Sequence, residues 1–220
     1  LGSTESRKVA TAYQQAIESL LKIPHDNSYH ELALVARGIA EYNASEFDAT
    51  AVARSIKHLS DYVNNYITDE ANDPKDPLQR KVRKDKEPEA VFYLGLAQRR
   101  DSNSIGVLSS FENFLYRYPS QQSLAFATMT YRIEALILLN DIDGAIAEYE
   151  AMHEVEASGD RISIGSYYIY KYFNNLSSTA DLSDPQPLVL LQEAKYLHDF
   201  NYYSSSPRWQ NLIGEADLLS

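Results

Sequence analysis

Apolar residues recur every three or four positions along almost the whole chain, the spacing that gathers them on one side of an α-helix. Val9, Ala12, Tyr13, Ala16, Ile17 and Leu20 form the first stripe, which starts near Thr4 and stops at Pro24. Ser28 with Glu31 three residues on is a capping-box start for a helix carrying Leu32, Val35, Ala36 and Ile39 to about Tyr42. Ser45 is read as the next cap, ahead of Ala49, Val52, Ile56, Leu59 and Val63. Residues 68–87 break the pattern. Asp73-Pro74, Asp76-Pro77 and Glu87-Pro88 punctuate a stretch crowded with Lys75, Arg80, Lys81, Arg83, Lys84 and Lys86. Prolines lack a donor and disfavour helix just before themselves, so this segment is expected to be a long charged connection. Pro88 then suits the first turn of a helix over 89–100. Further helices are expected up to Tyr118-Pro119 and over 122–139, 142–157, 160–176, 188–202 and 209–219. About ten helices joined mainly by tight turns predict an all-α chain of sequentially antiparallel hairpins, forming one domain over residues 1–220.

Composition narrows the function. Of 220 residues, 44% are hydrophobic and 23% charged, the balance of a folded chain. The formal charge is −11, with thirteen acids against four bases after Leu139. A surface of that sign argues against nonspecific contact with nucleic acid or anionic membrane. There is no cysteine, which excludes disulfides and thiolate chemistry, and no run of about 18 apolar residues to span a bilayer. The five histidines include no pair at i and i+4, and Glu150…His153 is a single copy of a spacing that di-iron bundles need twice. Phosphate-cradling glycine loops and Gly-x-Ser-x-Gly elbows are missing too. The reading is a noncatalytic protein with no metal and no cofactor. One cluster stands apart: Tyr167, Tyr168, Lys171 and Tyr172 spread around too much of a helix to form a single buried stripe, so they read either as an interaction face or as terminal packing.

The strongest regularity lies in two neighbouring segments. The first holds Leu94-Gly95, Val107, Phe111, Phe114 and Pro119; the second runs from Asn140 through Gly144-Ala145 to Tyr149 and Met152. A small residue midway along a helix lets its partner approach, and an aromatic residue fills the wedge beyond. This resembles the tetratricopeptide repeat, a helix-turn-helix unit of about 34 residues. Gly95 and Pro119 are separated as that family's glycine and terminal proline are, and Gly38 marks a weaker copy. Ile133 and Ala157 depart from the pattern, and the second copy sits about four residues too far from the first. The resemblance implies stacked antiparallel hairpins in a right-handed superhelix (an α-solenoid) with a concave groove. It places Glu89, Phe92, Leu96, Arg99 and Arg100 in that groove, with Thr130 and Glu134 from the following copy. The implied partner is a protein, through an extended peptide or short helix whose carboxylate Arg99 or Arg100 would grip. The alternative is a structural or assembly subunit that self-associates through its tyrosine-rich C-terminal part. The phrase 110–119, closing on Tyr118-Pro119, looks most like bacterial cell-envelope members such as the lipoprotein of the outer-membrane β-barrel assembly machinery. Periplasm or cell envelope is therefore favoured over cytoplasm, with Leu1-Gly2-Ser3 read as a cloning remnant left where an export signal or lipid anchor was removed.

Overall fold

Residues 4–25, 27, 29–67 and 77–155 are described by a computed structural model. They form helices α1 (Thr4–Leu20), α2 (His30–Ala44), α3 (Ala51–Tyr62), α4 (Pro77–Arg100), α5 (Ser104–Arg117), α6 (Gln122–Leu138) and α7 (Ile142–Val155). A π-helical turn, Val63–Ile67, closes α3. Among the described residues there is no strand, and none of these helices is long and apolar enough to cross a membrane. The helices expected beyond residue 160 lie outside the described residues. The chain divides into two compact units, residues 1–121 and 122–220.

In the first unit, α2 packs against α1, α3 and α4, and α4 against α2, α3 and α5. The two hairpins close around glycines. A Cβ on Gly38 would stand 2.5 Å from Leu59 Cγ, and one on Gly95 would stand 2.3 Å from the Phe111 ring. Only a residue without a side chain lets these antiparallel helices come so near. Ser55 Oγ adds a hydrogen bond to the Gly38 carbonyl at 2.7 Å. Glu31 of α2 meets Arg83 of α4, and Tyr42 meets Tyr93, so α2 and α4 run side by side in the same direction.

The expected connection over 68–87 is corrected from Pro77 onward, and residues 68–76 lie outside the described residues. Helix α4 begins at Pro77 and passes straight through Pro88, which is buried in its interior rather than in its first turn. An internal proline costs about 3 kcal/mol, largely through a lost donor and ring crowding. Two things offset it here. Lys84, whose carbonyl loses its partner, is exposed and can turn to water. Arg83, only 3% exposed, is held bidentately by Glu31 and lies 5.3 Å from the Tyr66 ring centroid, which fixes the half-helix ahead of the proline.

Ser45 also plays the opposite part from the one expected. It ends α2, its N–H donating to the Glu41 and Tyr42 carbonyls, and α3 starts only at Ala51. Asp48 braces the turn ahead of α3, accepting from the Thr50 hydroxyl at 2.7 Å, the Thr50 N–H at 3.0 Å and Arg54 at 2.9 Å. These bonds, the Thr50 hydroxyl first, hold the Asp48 carboxyl below its ordinary 3.8, at about 2. A depressed folded-state value means that the stabilisation from these bonds is complete above the ordinary carboxylate range and fades as pH falls toward 2. Side-chain NMR titration is expected to place the Asp48 midpoint near 2, and Asp48→Asn should flatten the acid limb of the stability curve in that window.

The turns of the α4–α5 and α6–α7 hairpins repeat one another at an offset of 38 residues, the second of them inside the second unit. Ser102 (φ 59°) and Asn140 (φ 61°) occupy the left-handed region one residue beyond each helix's last partly helical position. The N–H groups of Ser102 and Asn103 bond back to Arg99 and Gln98, and those of Asn140 and Asp141 to Ile137 and Leu136. Both are Schellman closures. Asn103 and Asp141 then cap the following helices by accepting from Gly106 N–H and Gly144 N–H, each at 3.0 Å. Val107 and Phe111 are buried in one hairpin, Ala145 and Tyr149 in the other, at matching positions. Ile133 takes the place of Gly95 and is itself fully buried.

Candidate interaction surface

Five of the eleven residues expected to make contacts, Glu89, Phe92, Leu96, Arg99 and Arg100, lie on α4, which packs beside α2. Near the start of α4, Tyr29, Leu32, Leu78, Gln79 and Val82 surround a pocket of about 110 Å³, with the Glu31–Arg83 pair as its floor. Tyr29 and Leu78 are 65% and 69% exposed, so the lips of this pocket are apolar and open to solvent. Leu78 and Val82 stand at helical spacing ahead of Glu89, Phe92, Leu96 and Arg99, extending that stripe toward the start of α4.

At the other end the two helices are tied together. The Arg100 guanidinium lies 4.3 Å from the Tyr42 ring centroid and donates to the Tyr42 carbonyl at 2.9 Å and Ser45 Oγ at 2.5 Å. It covers carbonyls that the end of α2 leaves open, where a cation is also favoured by the helix dipole. Tyr42 and Tyr93 meet edge to face at 5.4 Å. Burial raises the Tyr93 hydroxyl, helped by the charge of Glu89. Behind this face Tyr118 donates to Glu87 at 3.4 Å, and burial raises both groups.

Each expected contact residue has a definite place. Glu89 is half-buried and accepts from Lys86 at 2.6 Å. Phe92 turns its ring toward α5, 5.8 Å from Phe111 and 6.0 Å from Phe114, and so serves the hairpin's packing. Leu96 is half-buried and Arg99 exposed. Arg100 is engaged with α2, as above. Thr130 is buried and Glu134 half-buried, both on α6 of the second unit. Tyr167, Tyr168, Lys171 and Tyr172 lie outside the described residues.

Two features escaped the sequence reading. The pocket at Leu78 sits in the stretch taken for a connection, although the Leu78…Val82 spacing carried the signal. The second is a buried carboxylate, Glu41, which receives His58 Nδ1 at 2.6 Å, Arg37 Nε at 3.3 Å and Arg54 Nε at 3.6 Å. Compared with protein-family models, with curated proteins and with solved structures, the chain matches none.

Proposed function

We propose that this chain is a noncatalytic interaction module built from tetratricopeptide-like hairpins, which captures a peptide or helix of a partner protein along the α2–α4 face. The observation that carries this reading is the open apolar pocket of about 110 Å³ between two parallel helices. It has room for one aliphatic side chain, the volume of about three to four waters. Exposed Tyr29 and Leu78 supply the anchoring contact that such grooves use. Parallel neighbouring first helices, glycine-mediated close approach within the two hairpins of the first unit, and the recurring Schellman turn support the repeat reading. A right-handed superhelix and a cell-envelope setting follow from the resemblance and are part of the same proposal.

The Arg100 geometry changes how the proposal is tested. Arg100→Glu would place an acid against the carbonyls of α2 and lower stability by about 1–2 kcal/mol, confounding any binding loss. Leu78→Glu and Arg99→Glu alter exposed side chains instead. A partner captured from extract and identified by mass spectrometry is expected to be lost with Leu78→Glu and weakened with Arg99→Glu, with circular dichroism checking that both variants fold. Equal capture by both variants and wild type would remove the groove and bring forward self-association through the tyrosine-rich C-terminal part.

A further inference from the structure

A second cleft, between α1, α2 and α3, has a cavity volume of about 290 Å³ and a different chemistry. Its polar lining is His25, His30, Arg37, Lys57, His58 and Asp61. Three of the chain's five histidines and two of its cations thus converge in a protein whose formal charge is −11.

The histidines are placed for a ligand rather than for each other. His25 and His30 stack at 3.9 Å between ring centroids, 30° from parallel, a contact that leaves their nitrogens free to point elsewhere. Both ring nitrogens of His30 are buried, and among the described residues neither has a hydrogen-bond partner. Buried imidazole nitrogens without partners are costly, and a bound group that accepts from the ring N–H relieves part of that cost. His58 is oriented by its Nδ1 contact with Glu41, which leaves Nε2 as its remaining functional atom. Lys57 adds an ammonium on the same lining. Among the described residues, no three His, Asp or Glu side chains are grouped so as to hold a metal ion. The donors therefore suit an acceptor.

We infer that this cleft is a binding site for a small oxyanion-bearing molecule, with a phosphate or carboxylate group held by Lys57 and Arg37 and hydrogen-bonded by the ring N–H of His30, with His25 and His58 lining the site. At this volume the site lies near the lower bound of small-molecule pockets, about 300 Å³, so a compact ligand is implied. Asp61, on the same lining, opposes the anion and sets a limit on affinity. The site is independent of the α2–α4 groove and stands whether or not that surface binds a partner.

The histidine ring protons of the full 220-residue chain provide the readout. Inorganic phosphate is titrated at constant ionic strength, with succinate as the carboxylate arm and chloride as the control. Saturable shifts of the His25, His30 and His58 signals with phosphate or with succinate are expected, and the tighter of the two identifies the group. Lys57→Glu should weaken binding about tenfold and Asp61→Asn should tighten it about threefold. Among the described residues neither side chain has a hydrogen bond or ion pair to lose, and circular dichroism checks that both variants fold. No saturable shift with either oxyanion, equal shifts with chloride, or variants that match wild type would overturn the site.

Discussion

Glu41→Ala is expected to destabilise the first unit by about 3–5 kcal/mol, the loss that follows when one partner of a buried ion pair is removed. Glu41 is fully buried, and its two oxygens divide the work: one accepts from His58, the other faces Arg37 and Arg54. Alanine strands the His58 Nδ1 in a site with 7% exposure, whereas Arg37 and Arg54 can swing to solvent. The shape-conserving Glu41→Gln keeps an acceptor for His58 and should lose about half as much. The deciding variant is the double replacement Glu41→Leu, His58→Leu. Removing both polar partners and filling the space should bring stability back to within about 1 kcal/mol of wild type. Urea unfolding followed by circular dichroism measures all three. A double variant as unstable as Glu41→Ala would mean that the pair is not the origin of the loss.

Gly95→Ala runs against ordinary helix propensity. In an exposed helix interior the change stabilises by about 1 kcal/mol. Here the new methyl would stand 2.3 Å, 2.5 Å and 2.7 Å from three atoms of the Phe111 ring, and that ring is fully buried. Overpacking against a fixed aromatic ring is expected to reverse the sign and give a net loss of about 2 kcal/mol. Phe111→Leu introduced beside it removes the two nearest of these atoms, Cε1 and Cζ, so the two substitutions should couple favourably by at least about 1 kcal/mol in a double-mutant cycle. Gly106→Ala is the internal control. Its Cβ would meet the end of the Asn103 side chain at 2.6 Å, which can move at the expense of one cap. A stabilising Gly95→Ala would show that α4 and α5 lie farther apart than this packing requires.

The hairpins were legible where apolar residues do the packing and opaque where polar residues do it. Gly95, Val107 and Phe111 announce α4 and α5 through spacing alone, and the boundaries of α5, α6 and α7 follow from Asn103, Pro119 and Asp141. In α3 the expected stripe of Val52 and Ile56 is only half-buried, while Ala51, Ser55, His58, Leu59 and Tyr62 form the buried face. Counting hydrophobic residues misses that face because two of its positions are polar. They are satisfied by Glu41 and the Gly38 carbonyl, both seventeen residues earlier. Arg83 repeats the lesson at longer range. Within a run of bases it reads as solvated, yet Glu31, fifty-two residues before it, makes burial affordable. Charge marks exposure only when no opposite charge is delivered by the fold, and a single sequence does not display that delivery. The contact surface shows the same limit: the groove residues are expected from Glu89 to Arg100, and an open apolar pocket lies at the other end of α4, inside the presumed connection.

The shared turn of the α4–α5 and α6–α7 hairpins bears on the order in which the chain acquires its structure. Each turn is closed by bonds to residues at most five positions away, so each hairpin can zip from its own corner without waiting for distant sequence. Contacts such as Glu31–Arg83 carry the loop-closure entropy of fifty-two residues and belong to a later docking step. On the ribosome, residues 1–121 leave the exit tunnel with every partner of the first unit's α2–α4 contacts already made, and that unit can consolidate while the second is still being synthesised.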